Sequence, residues 1–320
     1  MIISRNFISY MVIFGLSFLI ASISWDNLRN IISIDRDNYY EYFSFGVDRL
    51  TYIEFDNIVD YVKNEWFWHY SIRHIATFLD VKLIFSFITF LSFFVYALYI
   101  YKKTHILFIF LLFNPLFFDL IYSQLRISLA STFFIISILL VNKNKFLFLL
   151  FLLLSFTTHT AIFPISLIYL ISYFLSKINI DEKIKIFISL MVGFIFSFIM
   201  GPFLNIFLNF IGDRRLGYDT SALSSSFLYL SFWFLMFLFL LLQCKNKSFI
   251  RNINDPDNFF AISILSFVFM SFFVGGYSTR IIAISLSFLI ILIFKFFKFF
   301  KLFIIYFYFL YLLLYFYIWW

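Results

Sequence analysis

Long uninterrupted apolar runs are the feature of this chain that most restricts its possible folds. Two examples are Phe146–Leu175 and Lys301–Trp320. A run of about 20 apolar residues matches the thickness of a lipid bilayer. Hydrophobic residues make up 63% of the chain and charged residues only 13%, whereas soluble domains carry about a quarter charged residues. The sequence therefore predicts an all-α, polytopic integral membrane protein.

Eleven apolar runs are candidates for membrane-spanning helices: Phe7–Trp25, Leu83–Tyr101, Ile106–Phe118, Gln124–Val141, Phe146–Thr158, Ala161–Ser176, Ile186–Asn205, Ser225–Gln243, Asn258–Gly275, Arg280–Phe294 and Leu302–Trp320. The first run is too long for a signal peptide. Several others are short, so the segments around Asn114–Arg126 and Thr157–Pro164 are candidates for re-entrant or broken helices. We therefore expect about 10–11 transmembrane helices, in one transmembrane domain that covers residues 1–320.

Lysine and arginine are distributed differently between these runs. Lysine clusters occur in alternate gaps: Lys102/Lys103, Lys143/Lys145, Lys177/Lys183/Lys185, Lys245/Lys247 and Lys295/Lys298/Lys301. Because cytoplasmic loops retain positive charge during insertion, these clusters predict a cytoplasmic N-terminus. Most arginines occupy the other gaps: Arg29, Arg36, Arg49, Arg73, Arg126, Arg214, Arg215 and Arg280. The first four could be ordinary loop charges, but the arginines beside predicted spans favour an anionic partner at the outer face. We do not interpret the net charge of +7 as nucleic-acid binding.

Residues 26–82 are then an extracytoplasmic loop, with ten acidic and six basic residues. Asn57 and Asp60 have the spacing of a capping box at a helix start. Four apolar or aromatic residues follow at helical spacing: Val59, Val62, Trp66 and Tyr70. We predict one amphipathic helix on the outer leaflet, held at headgroup level by Trp66 and Trp68. His69 and His74 would lie on its solvated face.

The strongest local pattern of polar residues opens the predicted span near residue 124. Gln124 and Arg126 lie at its outer mouth, and the small residues Ser128, Ala130 and Ser131 follow. Small residues let neighbouring helices approach closely. A guanidinium group can hold a phosphate through two parallel hydrogen bonds. The alternative is an arginine that only anchors the helix at the membrane interface.

Two further arginine sites fall on the same predicted side. Arg214 and Arg215 are adjacent in a loop flanked by glycines, where solvent exposure alone is the alternative. Two glycines and Tyr277 precede Arg280, which opens a span in the way that Arg126 does. An arginine near the membrane core is costly unless it is paired, so such residues usually face a cavity.

A histidine and an acidic loop complete the candidate residues. His159 lies between two apolar runs, and its near-neutral pKa suits a proton shuttle. The alternative is a histidine bonded to backbone at a helix break. Asp35 and Asp37 lie close to Tyr39. Carboxylates bind sugar hydroxyls or act as bases, and aromatic rings cover pyranose faces. A solvated acidic loop is the alternative here.

Taken together, these residues resemble the EpsG-like and Wzy-type polysaccharide polymerases of bacterial envelopes, a family of O-antigen polymerases. The resemblance is carried by Asp37-Asn-Tyr39, Gln124-x-Arg126-x-x-x-Ala130, His159-Thr-Ala161 and Arg280. These short motifs are spread over nearly the whole chain. Ile127 follows Arg126 where EpsG-like proteins often have a second glutamine.

The resemblance implies a metal-independent glycosyltransferase of the bacterial cytoplasmic membrane that needs no cofactor. It would move a growing glycan from undecaprenyl diphosphate onto a new lipid-linked repeat unit, at the outer face. The expected diphosphate ligands are Arg126, Arg280, Arg214, Arg215 and Gln124. His159 would be the base or a phosphate ligand, and Asp35 or Asp37 would orient the acceptor or act as the base. Tyr39 and Tyr277 would contact sugar, and a chain-length regulator protein is an expected partner.

Two other functions share some of these features. An O-antigen ligase uses the same donor at the same face, but it generally has a large loop late in the chain, whereas residues 26–82 are the largest loop here. A flippase for lipid-linked oligosaccharides needs charged residues along a passage through both leaflets. The polar residues of this chain crowd one predicted side, which favours the polymerase.

Overall fold

The computed structural model describes residues 5–28, 34–211 and 227–319. All regular elements within these ranges are α-helices or short 3-10 helices, which confirms the all-α prediction. The 3-10 helices cover Trp25–Leu28, Arg49–Tyr52 and Ile106–Leu112. Arg214 and Arg215 lie outside the described residues.

The chain divides into two compact units, and the division falls at Ile165/Ser166. The α-helices described before this point are α1 (Arg5–Ser22), α2 (Ile34–Phe45), α3 (Ile58–Lys63), α4 (Trp66–Ala76), α5 (Val81–Lys103), α6 (Pro115–Tyr122), α7 (Leu125–Leu140) and α8 (Lys145–Thr158). Helix α9 (Ile162–Lys177) contains the division. The α-helices described after it are α10 (Glu182–Met200), α11 (Leu204–Ile211), α12 (Phe227–Gln243), α13 (Lys247–Asn252), α14 (Pro256–Val274), α15 (Ser278–Lys295) and α16 (Lys298–Trp319). The sequence alone predicts one domain.

Among the described residues, five helices are long and apolar enough to cross a membrane. They are α5, α10, α14, α15 and the Lys298–Tyr317 part of α16. Helices α6 and α7 form a sixth candidate if the bent pair is one span. Shorter apolar segments are the Asn6–Ser22 part of α1, the whole of α8 and α9, and the Leu230–Gln243 part of α12. This set is compatible with a polytopic membrane protein.

The predicted span Ile106–Phe118 is wrong as a single helix. A 3-10 helix ends at Leu112, and Asn114 then caps α6 by accepting a hydrogen bond from the Leu116 amide at 2.9 Å. Pro115 occupies the first turn of α6, where its missing N–H costs nothing. Helices α6 and α7 meet at an angle of 101°. The broken helix expected around Asn114–Arg126 is therefore present.

The amphipathic helix predicted after residue 57 is two helices. Asn57 and Asp60 form the predicted capping box, but α3 ends at Lys63 and α4 begins at Trp66. Between them, Glu65 has a left-handed backbone with φ of 52°. The sequence has no glycine or proline at this break, so the break could not be predicted from the usual helix-ending residues.

The burial of α4 contradicts two further predictions. Trp68 is fully buried, and His69 is only 5% exposed. Trp68 and Ile72 pack into a hydrophobic core with Phe85 and Leu125. Trp68 is therefore a core residue rather than a headgroup anchor, and His69 is not on a solvated face. The reason is that α4 packs on the helix bundle with the face that carries these residues.

Arginine side chains fasten the loop to the helices of the first unit. Arg36 Nη1 donates a hydrogen bond to the Tyr122 carbonyl oxygen at 2.9 Å, and its guanidinium carbon lies 4.0 Å from the centroid of the Tyr122 ring. The Tyr122 hydroxyl donates in turn to Asp26 Oδ2 at 2.7 Å. Burial lowers the pKa of Arg36, while Tyr122, Asp26 and Asp37 oppose that shift. Arg73 Nη2 donates to the Tyr42 carbonyl oxygen at 3.1 Å.

We expect Arg36→Ala to lower the free energy of unfolding by about 1–3 kcal/mol, because it removes a charge-assisted hydrogen bond and a cation–π contact. Thermal unfolding of the purified protein in detergent measures this change. Lys145→Ala, at an exposed lysine of the same unit, is the control. Equal melting temperatures for the two variants would show that Arg36 is an ordinary loop charge.

Candidate functional site

A buried carboxylate joins two of the predicted site residues. Glu65 is 2% exposed and lies between α3 and α4. Its Oε2 accepts a hydrogen bond from Arg126 Nη1 at 2.6 Å, and its Oε1 is hydrogen-bonded to His159 Nδ1. Arg126 is in the first turn of α7, and His159 directly follows α8. Residues 61 and 94 positions away from Glu65 therefore meet at one side chain.

The backbone at Glu65 has an unusual left-handed conformation. Among the described residues it is the one non-glycine residue with a positive φ. A left-handed conformation costs a residue with a Cβ atom about 1–2 kcal/mol. The Glu65 carbonyl oxygen accepts hydrogen bonds from the amides of Trp68 and His69, which begins α4. The Glu65 side chain makes no capping bond and is directed to Arg126 and His159 instead.

His159 is held by the end of α8. Its amide donates to the Ser155 carbonyl oxygen at 3.0 Å, and its backbone is extended. Ser155 Oγ donates to the Ala130 carbonyl oxygen at 2.7 Å, which ties α8 to α7. The His159 side chain is 10% exposed. When Nδ1 carries the proton that is shared with Glu65, Nε2 is the acceptor nitrogen of the ring.

Arg126 keeps donor capacity beyond the ion pair. A guanidinium group has five N–H donors, and the bond to Glu65 uses Nη1. Within the described part of the chain, the buried Nε has no hydrogen-bond partner. The side chain is 21% exposed, so part of it is accessible. Its guanidinium carbon lies 5.7 Å from the centroid of the Tyr39 ring, and Tyr39 in turn packs edge-on against Trp68.

The charges of the site are nearly balanced without a ligand. One carboxylate faces one arginine and one histidine, so the sum is zero or +1 depending on the protonation of His159. Taking such groups out of water is costly unless they are paired. The Glu65 carboxylate therefore holds the Arg126 guanidinium in place and also offsets much of its positive charge. In the described ranges, no group of three or more His, Cys, Asp or Glu side chains could hold a metal ion.

The other predicted residues of the first unit make contacts of their own. Gln124 precedes α7, and its Nε2 donates to Asp119 Oδ2 at 2.6 Å. Asp35 and Asp37 are in the first turn of α2. The negative charge of Asp37 opposes the lowering of the Arg36 pKa by burial. The described hydrogen bonds and ion pairs of Glu65 include neither aspartate. Of the predicted residues, the structure brings together Arg126, His159 and Tyr39.

Tyr277 and Arg280 belong to the second compact unit. Two left-handed glycines, Gly275 and Gly276, form the turn before α15. Arg280 is exposed in the first turn of α15, with its guanidinium carbon 5.8 Å from the centroid of the Tyr277 ring.

Glu65 is the residue of the candidate site that the sequence does not reveal. It lies inside a segment with helical periodicity, where an acidic residue ordinarily faces solvent. The one local signal is the Asn64-Glu65 pair between two aromatic stretches, since asparagine is common where helices end. That signal marks a break, but it does not indicate that the carboxylate is buried.

Comparison of the chain with protein-family models, curated proteins and solved structures finds no match.

Proposed function

We propose that this protein is a polysaccharide polymerase of the bacterial cytoplasmic membrane. In this proposal the chain crosses the membrane about 10–11 times, with its N-terminus in the cytoplasm and the Glu65 site at the outer face. It transfers a growing glycan from undecaprenyl diphosphate onto a new lipid-linked repeat unit of an O-antigen, capsule or exopolysaccharide. The observation that carries the proposal is the convergence of Arg126 and His159 on the buried carboxylate of Glu65.

The reaction needs positive charge where its leaving group departs. A lipid diphosphate leaves with the electron pair of the broken bond to the anomeric carbon, so negative charge develops on its oxygens. A fixed arginine stabilises such charge well because the donor is already oriented before reaction. Arg126 meets this requirement: Glu65 holds one end of its guanidinium, and its remaining N–H groups can bind phosphate oxygens.

The reaction also needs a base for the acceptor. The acceptor hydroxyl oxygen forms the new bond to the anomeric carbon and must lose its proton. With Nδ1 bonded to Glu65, His159 presents Nε2 as the proton acceptor. Glu65 then stabilises the imidazolium that results, as a carboxylate does behind a catalytic histidine. The proton thus moves to His159 while the electron pair of the broken bond leaves with the diphosphate.

The remaining residues keep the roles that the sequence suggests. Asp35 or Asp37 would orient the acceptor sugar or replace His159 as the base, and Tyr39 would contact sugar beside Arg126. Three further arginines and one tyrosine complete the proposed substrate contacts: Arg280, Arg214, Arg215 and Tyr277. Gln124 would position the start of α7 through Asp119 or bind the diphosphate. A chain-length regulator is the proposed protein partner.

Deletion of the gene tests the proposal against its two rivals. We expect a gel of envelope polysaccharide to lose its ladder and to show single repeat units attached to their acceptor, because only polymerisation is blocked. Loss of a ligase leaves no units attached, and loss of a flippase leaves lipid-linked units inside the cell. An unchanged ladder would refute all three functions. Restoration of the ladder by the intact gene is the control.

A further inference from the structure

Six aromatic side chains form a continuous row on the surface of the first unit. We call Phe55, Tyr61, Trp66, Tyr70, His74 and Phe78 the aromatic row. Successive ring centroids are 4.7, 5.8, 4.8, 6.1 and 5.7 Å apart in that order. Every member therefore touches the next.

The row lies on the face of α4 that the core does not use. Trp66, Tyr70 and His74 are spaced by four residues and share one side of the helix, whereas Trp68 and Ile72 are buried. Tyr70 is 51% exposed. Trp66, Tyr70 and His74 have nearly parallel rings, with interplanar angles of 13° and 5°.

The parallel rings leave aromatic surface uncovered. Carbon atoms of stacked rings meet at about 3.5–4.0 Å, and the centroid distances of 4.8 and 6.1 Å are larger. The rings are therefore offset, and neighbouring rings leave part of each other's faces uncovered. A pyranose packs its C–H groups against such a face, because the face of an aromatic ring is electron-rich.

The third member of the row is next to the candidate site in the sequence. Trp66 directly follows Glu65, whose carboxylate holds Arg126 and His159. From Trp66 to His74 the row extends for about 12 Å along α4, at about 1.5 Å per residue. In a lipid-linked donor, the glycan extends away from the diphosphate. If a diphosphate lies at Arg126, its glycan would have to pass α4 to reach the row at Trp66.

Local charge favours a glycan over a membrane surface as the occupant. Residues 26–82 contain ten acidic and six basic residues. Glu54 and Asp56 are exposed beside the start of the row. Carboxylates accept hydrogen bonds from sugar hydroxyls, but they are repelled by anionic lipid headgroups, which attract polybasic segments instead.

We propose that the aromatic row binds the glycan of the lipid-linked donor and holds the growing chain while units are added. The inference rests on the proposed polymerase function, and it names the part of the substrate that lies outside the reacting centre. The ligand class is a hydroxyl-rich oligosaccharide that lies along the ring faces. Weakening the row should shorten the polymer without stopping the reaction.

Tyr70→Ala tests this inference. Tyr52→Ala is the matched control, because Tyr52 is an 81% exposed tyrosine of the same loop that lies outside the row. Each variant replaces the wild-type gene, and polymer length is read from a gel after scaling to the amount of protein in the membrane. In parallel, calorimetry measures binding of oligosaccharides, released from the cell's own envelope polysaccharide by mild acid, to the full-length protein in detergent.

We expect shorter ladders and about 2- to 10-fold weaker oligosaccharide binding for Tyr70→Ala, with wild-type behaviour for Tyr52→Ala. Wild-type ladders and affinity in Tyr70→Ala would overturn the inference. If Tyr70→Ala lowers the amount of protein in the membrane and the polymer keeps its normal length, the inference is overturned and the row faces the membrane instead. If gene deletion leaves the ladder unchanged, the polymerase proposal fails. Calorimetry then still tests whether the aromatic row binds oligosaccharide. If the wild-type protein does not bind, the inference is overturned, and if Tyr70→Ala loses the binding that the wild type shows, the inference is supported.

Discussion

Glu65→Ala should abolish the polymer ladder and lower the free energy of unfolding by about 3 kcal/mol. The stability loss is at the low end for a broken buried ion pair, because Arg126 retains 21% exposure and water can reach part of it. The loss of activity follows because the carboxylate orients both Arg126 and His159. Thermal unfolding in detergent and gels of envelope polysaccharide measure the two effects.

Two companion substitutions separate the roles of Glu65. Glu65→Gln keeps the shape of the side chain and removes its charge, so we expect the fold to persist while the ladder is lost. Glu65→Gly accepts the left-handed backbone without strain and should be about 1 kcal/mol more stable than Glu65→Ala. A normal ladder from Glu65→Gln would show that the site does not depend on the carboxylate charge.

Arg126→Ala should reduce polymer formation by about 10²–10³-fold, the cost of removing one fixed donor to developing negative charge. The protein should still insert in the membrane, because α7 keeps its apolar residues. Arg126→Lys should recover only part of the activity, since an ammonium group lacks the planar fork that binds two phosphate oxygens. Polymer is measured per amount of membrane protein.

Arg73→Ala is the matched control for Arg126→Ala. Like Arg126, Arg73 is a partly buried arginine of the first unit. It donates to the Tyr42 carbonyl oxygen rather than to a carboxylate, and it has no part in the proposed reaction. If Arg73→Ala loses stability and still makes polymer, instability does not explain the Arg126 result. Arg280→Ala tests the second proposed diphosphate ligand in the same assay. Normal ladders from both Arg126→Ala and Arg280→Ala would refute the diphosphate assignment.

The helices could be predicted from the sequence because their signals are local. Apolar runs, the capping box at Asn57 and Asp60, and Asn114-Pro115 at the start of α6 each specify a short segment through its own residues. The broken helix before Arg126 follows from the same signals. No tertiary information is needed for any of these features.

The Glu65 site could not be predicted in the same way. Its contacts join α4, α7 and α8 across 61 and 94 residues, and no local pattern encodes which helices become neighbours. The periodicity of α4 also fits two choices of buried face. Packing against Phe85 and Leu125 selects the face with Trp68, and this packing depends on residues distant in the sequence.

The bend between α6 and α7 gives the site a second source of positive potential. Because α7 starts anew after a turn of 101°, its first backbone N–H groups lie at the level of Arg126. Gln124 precedes the helix and makes no side-chain capping bond to these groups. Aligned peptide dipoles place about half a positive charge at such a helix start. This half charge belongs to the backbone, so Arg126→Ala leaves it in place, and an anion bound at the site would keep that part of its stabilisation.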